Sequence, residues 1–216
     1  MAIYAIIRFL IHRRCGFVPA QLTISGAPAW SPRTRLLRGR IPAVLEAWLL
    51  DTGSLTDRMK RACRGHFEVR VVDEGWQRPR LDEVRALGMR YGMVGWVRQV
   101  QLLCDGHPWV FARTIVPVTT LTGAQRRLAH LGNRPLGAFL FADPGMQRGP
   151  VEVAAIRNGQ AMFSLATAGL RRKPAEIWGR RSVFRVGGKP LLVTEIFLPA
   201  IETVCPGPLP LPGTCR

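Results

Sequence analysis

The sequence predicts an α+β fold: a single, largely antiparallel sheet with helices on one side. Three observations carry this expectation. Residues 94–103 and 109–118 are two strand-like runs joined across Asp105-Gly106, a dipeptide suited to a hairpin turn. Residues 177–186 and 190–198 form a second such pair joined by Gly187-Gly188. No strand–helix–strand rhythm of the kind that builds a parallel sheet runs between them.

Residues 16–40 read as loop, with Gly16, Pro19, Ser25-Gly26, Pro28, Pro32 and four arginines. Regular structure begins at Pro42, a good first-turn residue, followed by VLEAWLL. Thr52-Gly53 interrupts it. Ser54 then caps a second helix, with Asp57 three residues on as its capping-box partner, giving a helical pair over roughly 42–63. The period changes to two at Phe67, Val69 and Val71, which alternate with His66, Glu68 and Arg70. After the first hairpin, Thr122 with Gln125 opens a short helix that stops at Gly132, and Pro135 starts another turn carrying LGAFLF. Strand character returns at 151–156. Residues 157–175 and 201–216 fit no period and are expected outside the core.

The chain has 216 residues and 47% apolar content, enough for one domain with a sizeable core and too apolar for wholesale disorder. Seventeen prolines and 22 glycines predict many loops and short helices. The net charge is +17, of which residues 1–40 supply +7 and residues 156–181 supply +5. That excess sits in apparent extensions rather than on a recognisable nucleic-acid-binding element, so the basic character suits small acidic substrates better. Cys15, Cys63, Cys104, Cys205 and Cys215 show no CxxC, and the four histidines are scattered, which argues against structural zinc. A Cys205–Cys215 loop is conceivable on spacing. Free thiols in a reducing cytoplasm are the expectation. MAIYAIIRFLI is eleven residues long and broken by Arg8, too short to span a bilayer and lacking the features of a signal peptide.

The strand faces carry the chemistry. Arg98 shares a face with Val94, Trp96, Val100 and Leu102, and Glu195 is the lone charge among Leu191, Val193 and Phe197. Arg113 sits similarly with Trp109, Phe111 and Ile115. A charge on an apolar strand face needs a partner. Two readings stand: a buried Arg98–Glu195 ion pair or half-exposed strands, and a ligand site. In a ligand site the arginine fork would hold a carboxylate through two parallel hydrogen bonds, and the glutamate would meet a hydroxyl or move a proton. His107 reads as an exposed turn residue, Trp48, Trp96 and Trp109 as core or pocket wall, and WGRRS at 178–182 as a solvated strand edge rather than a phosphate site. Nucleotide, zinc-protease and serine-hydrolase motifs are missing, and no cofactor or metal is called for.

Four stretches in order, AWLLDTGSLTDRM (47–59), WVRQVQLLCDGHPWVFARTIVPVTTL (96–121), LGNRPLGAFLF (131–141) and IWGRRSVFRVGGKPLLVTEIFLPA (177–200), resemble the chorismate pyruvate-lyase family. The resemblance covers residues 41–200. It implies a sheet with helical flaps closing over a buried aromatic product, and conversion of chorismate to 4-hydroxybenzoate and pyruvate for bacterial ubiquinone synthesis. It assigns the carboxylate-binding arginine to Arg98, the glutamate at the product hydroxyl to Glu195 and a second pocket arginine to Arg113. Two backbone N–H donors fall at Leu55 and Leu136. Leu55 stands where the family pattern has methionine, a swap that a backbone donor survives. No cofactor, nucleic acid or stable membrane insertion is implied, and a cytoplasmic monomer is expected. Residues 1–40, 157–175 and 201–216 have no recognised counterpart and are expected to be an extension, an insertion and a tail. The competing class is a non-catalytic effector-binding domain of a transcription factor. That class calls for a winged helix-turn-helix ahead of the sheet, which forty Pro-, Gly- and Arg-rich residues do not supply.

Overall fold

Asp105 and Gly106 both adopt left-handed backbone angles, with φ of 48° and 74°. That matches the twist of a two-residue hairpin turn and joins β3 (Gly95–Cys104) to β4 (His107–Pro117). Gly187 and Gly188, with φ of 56° and 75°, do the same between β7 (Glu176–Val186) and β8 (Lys189–Phe197). The two hairpins lie side by side because β4 pairs with β8. The computed structural model describes residues 26–35 and 41–204. Within them β2 (Phe67–Gln77) extends the sheet beyond β3. On the other side β6 (Glu152–Arg157) and β1 (Ser31–Pro32) extend it beyond β7. A short β5 (Gln147–Arg148) also pairs with β7, and every pairing is antiparallel.

The α-helices among the described residues are α1 (Ala43–Leu49), α2 (Leu55–Ala62), α3 (Leu81–Leu87), α4 (Leu136–Phe141) and α5 (Ala161–Ala166), and 3₁₀ helices run over Arg33–Arg35, Gly123–His130 and Pro199–Thr203. On the front face, Leu45, Trp48 and Leu49 of α1 and Leu55 and Met59 of α2 pack on Val100, Ala112, Trp178 and Phe197. Leu136 and Leu140 of α4 join Leu128, Phe184, Leu191 and Val193 there. Ser54 Oγ accepts the Asp57 N–H at 3.3 Å, as expected of the α2 cap.

Helices also cover the back, which corrects the one-sided arrangement. Leu87 of α3 packs on Val97, Ile115 and Leu192. Met162, Phe163 and Ala166 of α5 pack on Phe111, Ile156, Ile177 and Ile196. Residues 157–175 therefore contribute to the core. Each large side chain buried there is worth roughly 1.5–3 kcal/mol, and a six-residue helix shows too few turns to reveal its period. The boundary drawn at residue 40 also moves, since β1 joins the sheet and Trp30 packs against the α5 cluster. Ile201, in the expected tail, is fully buried.

Cys63, at the end of α2, forms a disulfide with Cys104 at the end of β3, with Cα atoms 5.8 Å apart. These two cysteines are not the free thiols expected. Pairing of β2 with β3 sets Phe67 opposite Cys104, and α2 delivers Cys63 four residues earlier. Residues 1–25, with MAIYAIIRFLI and Cys15, lie outside the described residues, as do Cys205 and Cys215.

Candidate active site

Cross-strand register brings Arg98 and Glu195 to one face. Arg98 stands opposite Thr114 on β4, which stands opposite Val193 on β8. The next row on that face is Val100, Ala112, Glu195 and Arg180. Two strand spacings and one pleat put the Cα atoms of Arg98 and Glu195 roughly 12 Å apart, which leaves room for a ring between the side-chain ends.

Both side chains line one cavity between the sheet and its front helices, together with Leu55, Thr56, Leu136, Gly137, Arg148, Phe184 and Val193. The N-termini of α2 and α4 meet over it. A Cβ added to Gly137 would lie 3.3 Å from the hydroxyl oxygens of both Ser54 and Thr56, so only glycine fits this seam without displacing a neighbour. The free space inside is about 50 Å³. An apolar cavity that holds benzene measures roughly 150 Å³. The closed cavity is therefore smaller than a ring requires, and its walls must give to admit one.

Arg98 is 3% exposed, and its Nε is buried without a hydrogen-bond partner. Its Nη2 donates to the carbonyls of Gly132 and Arg134, at 2.7 and 3.1 Å, in the loop leading into α4. The carboxylate of Glu74 stands 3.8 Å from Nε. Burial pushes the Arg98 guanidinium below its ordinary value, and Glu74 opposes that shift.

Glu195 is not alone on an apolar face, and its ion-pair partner is not Arg98. Arg180, directly across on β7 and 1% exposed, donates from Nε to Glu195 at 2.6 Å. Its Nη1 donates to the carbonyls of Trp48, at 2.8 Å, and Asp51. Arg181 points to the back, where Glu152 lies at 2.7 Å, Asp82 at 3.2 Å and the Trp30 ring at 4.7 Å. WGRRS is thus the interior of a central strand, with each guanidinium met by a carboxylate, and not a solvated edge.

Arg113 does not join the cavity. It faces backwards with Gln99 and Thr194, and its Nε donates to Glu83 of α3 at 2.7 Å. Parity separates it from Arg98: odd positions of β4 oppose odd positions of β3, while Arg98 is even. His107 is exposed as expected, and Trp48 and Trp109 are core. The residues that sequence reasoning missed are Arg148, Arg180 as the partner of Glu195, and Glu83. Leu81, Val84 and Leu87 with Gly88 as a stop carry the helical spacing of α3, a signal the sequence reading passed over, whereas nothing local marks Arg148.

Among the described residues no group of His, Cys, Asp and Glu could hold a metal ion, and no helix is long and apolar enough to cross a membrane. Fold and site together define an α+β domain with a covered cavity walled by arginines and one glutamate. The chorismate lyase family model matches residues 28–204, and the chain belongs to that family. It is 45% identical over 166 residues to the "Probable chorismate pyruvate-lyase" of Aromatoleum aromaticum, covering 76% of this chain and 89% of that one. It is 44% identical to the protein of the same name from Methylococcus capsulatus, covering 74% and 98%. Among solved structures, a GntR-family transcriptional regulator from Bacillus cereus superposes with a TM-score of 0.46 at 13% identity, over 62% of this chain and 92% of that one.

Proposed function

We propose that the protein is a chorismate lyase acting in the cytoplasm, cleaving chorismate to 4-hydroxybenzoate and pyruvate as a source of the ubiquinone ring. The observation that carries this reading is the convergence of Arg98, Glu195, Leu55 and Leu136 on one covered cavity, in a chain of this family. The substrate is a cyclohexadiene with a ring carboxylate, a 4-hydroxyl and an enolpyruvyl ether at C3. The C3–O bond breaks, the C4 hydrogen is lost as a proton, and the departing enolpyruvate gains a proton on its methylene carbon to become pyruvate. Aromatisation drives the reaction, so orientation and stabilisation of the departing oxygen are the protein's main tasks.

In this reading the Arg98 guanidinium, whose Nε makes no hydrogen bond and has only the Glu74 carboxylate 3.8 Å away, takes the ring carboxylate. Glu195 accepts from the 4-hydroxyl at the other end of the ring, and Arg180 holds its carboxylate in place. Leu55 and Leu136 open α2 and α4, where N–H groups lack acceptors within the helix and are free to donate to the ligand. The position of Arg113 does not support a direct part in binding, and its pairing with Glu83 points to a structural role. An intramolecular hydrogen shift to the methylene needs only positioning, and the Glu195–Arg180 pair favours that route over a free base. Incubation of the purified protein with chorismate tests the reading: equimolar 4-hydroxybenzoate and pyruvate are expected, and neither product forming would overturn it.

A further inference from the structure

Arg148 makes no ion pair with any described residue, unlike Arg113, Arg180 and Arg181. It lines the same cavity as Arg98 and Glu195. Its Nη1 donates to the carbonyls of Thr52 and Gly53, at 2.6 and 3.4 Å, in the turn that enters α2, and its Nε donates to Ser182 Oγ at 3.2 Å. The guanidinium lies 5.1 Å from the Phe184 ring centroid, and Phe184 is itself a cavity wall. The fork is therefore held on one side by backbone and hydroxyl, while Nη2 has no hydrogen bond to a described residue. Burial, and then the nearby Arg180 charge, push its pKa down to about 10, with Glu195 and Asp51 opposing, so it remains cationic at neutral pH.

The charge on the cavity wall is then simple. Arg180 cancels Glu195, and Arg98 and Arg148 remain as two under-neutralised cations. A partly buried guanidinium without a carboxylate is costly unless an anion arrives. The proposed substrate has two carboxylates, and the aromatic product keeps one. We propose that Arg148 binds the carboxylate of the substrate's enolpyruvyl side chain, while Arg98 binds the ring carboxylate. The inference rests on reading the cavity as a chorismate site. It makes Arg148 a reader of substrate over product, since 4-hydroxybenzoate has nothing to offer it.

The test compares wild type with Arg148→Met, Arg148→Lys and Arg98→Met, measuring kcat and KM with chorismate and the dissociation constant of 4-hydroxybenzoate by calorimetry. Arg148→Met should lower kcat/KM at least roughly 30-fold, the lower end for truncating one partner of a desolvated charge pair. Its affinity for 4-hydroxybenzoate should stay within about threefold of wild type on the same argument. Arg98→Met should weaken both. Arg148→Lys keeps the charge but not the fork, so it should recover part of kcat/KM with product affinity again unchanged. It also carries the test alone if Arg148→Met does not fold. Product affinity falling in parallel with kcat/KM in the Arg148 variants, or kcat/KM unchanged, overturns the inference. Wild type failing to turn over chorismate would instead overturn the functional reading beneath it.

Discussion

Glu83 and Arg113 meet at 2.7 Å behind the sheet, both almost wholly out of water, while Arg98 and Glu195 occupy its other face. A second hydrogen bond, from Arg113 Nη2 to the other carboxylate oxygen at 3.2 Å, makes the pair bidentate. It ties α3 to the middle of β4. Removing one partner leaves a buried charge without its counter-charge, a loss of about 3–5 kcal/mol. Glu83→Gln is expected to lower the urea unfolding midpoint accordingly. An unfolding free energy within 1 kcal/mol of wild type would show that water reaches Arg113, against the role assigned here.

The same pair sets an acid limit on stability. Burial by itself raises the Glu83 pKa, but Arg113's hydrogen bonds and charge, with Arg80 behind them, outweigh it and leave the folded value below the ordinary 4.5. A carboxylate depressed by folding contributes fully above its unfolded pKa and loses that contribution as pH falls through the folded one. Asp51, lowered despite its burial by the Gly53 amide, Arg58 and Arg180, acts in the same direction. Urea midpoints taken down from neutrality should hold until about pH 4.5 and then decline. The decline should be shallower in Glu83→Gln.

At the cavity, Arg98→Ala and Glu195→Gln should separate by role. Substrate and product share the ring carboxylate, so Arg98→Ala is expected to weaken both by roughly 2–5 kcal/mol. Glu195→Gln removes the charge that Arg180 faces but keeps an acceptor. If Glu195 positions the hydroxyl, kcat should fall modestly and in step with product affinity. A fall of about 10²–10⁴ in kcat with product affinity retained would mark it as a general base instead.

The Cys63–Cys104 bond closes a loop with a sequence separation of 41. Loop-closure entropy for that length is about 4 kcal/mol. Cys63→Ser is therefore expected to lower the unfolding free energy of oxidised protein by up to that amount. Mass spectrometry of the non-reduced wild type should find Cys63 and Cys104 in one cross-linked peptide. Finding both as free thiols would remove this contribution.

Both hairpins and the α1–α2 pair were legible because each rests on short-range signals, a turn dipeptide or a cap, whereas the joint placement of Arg98 and Glu195 in one site came from the family resemblance. Arg180 beside Glu195 was not legible, since that contact depends on the register between β7 and β8, and a one-residue slip would exchange every partner. Arg113 misled for a related reason. Its apolar neighbours indicate burial, but a sheet covered on both faces buries both parities alike, so alternation cannot say which face it joins. Arg148 lies in a two-residue strand, too short for any periodicity, and reaches the cavity only because β5 docks on β7. The disulfide was hidden by distance along the chain, as two cysteines on different elements carry no local signature of their pairing.

The bond between Cys63 and Cys104 also bears on the cavity, because α2 has Cys63 just past its last residue and Leu55, in the cavity wall, as its first. At the opposite end, Arg148 grips the carbonyls of Thr52 and Gly53 in the turn that enters the helix. This part of the wall is therefore moored at both ends, covalently to β3 and through hydrogen bonds to β5.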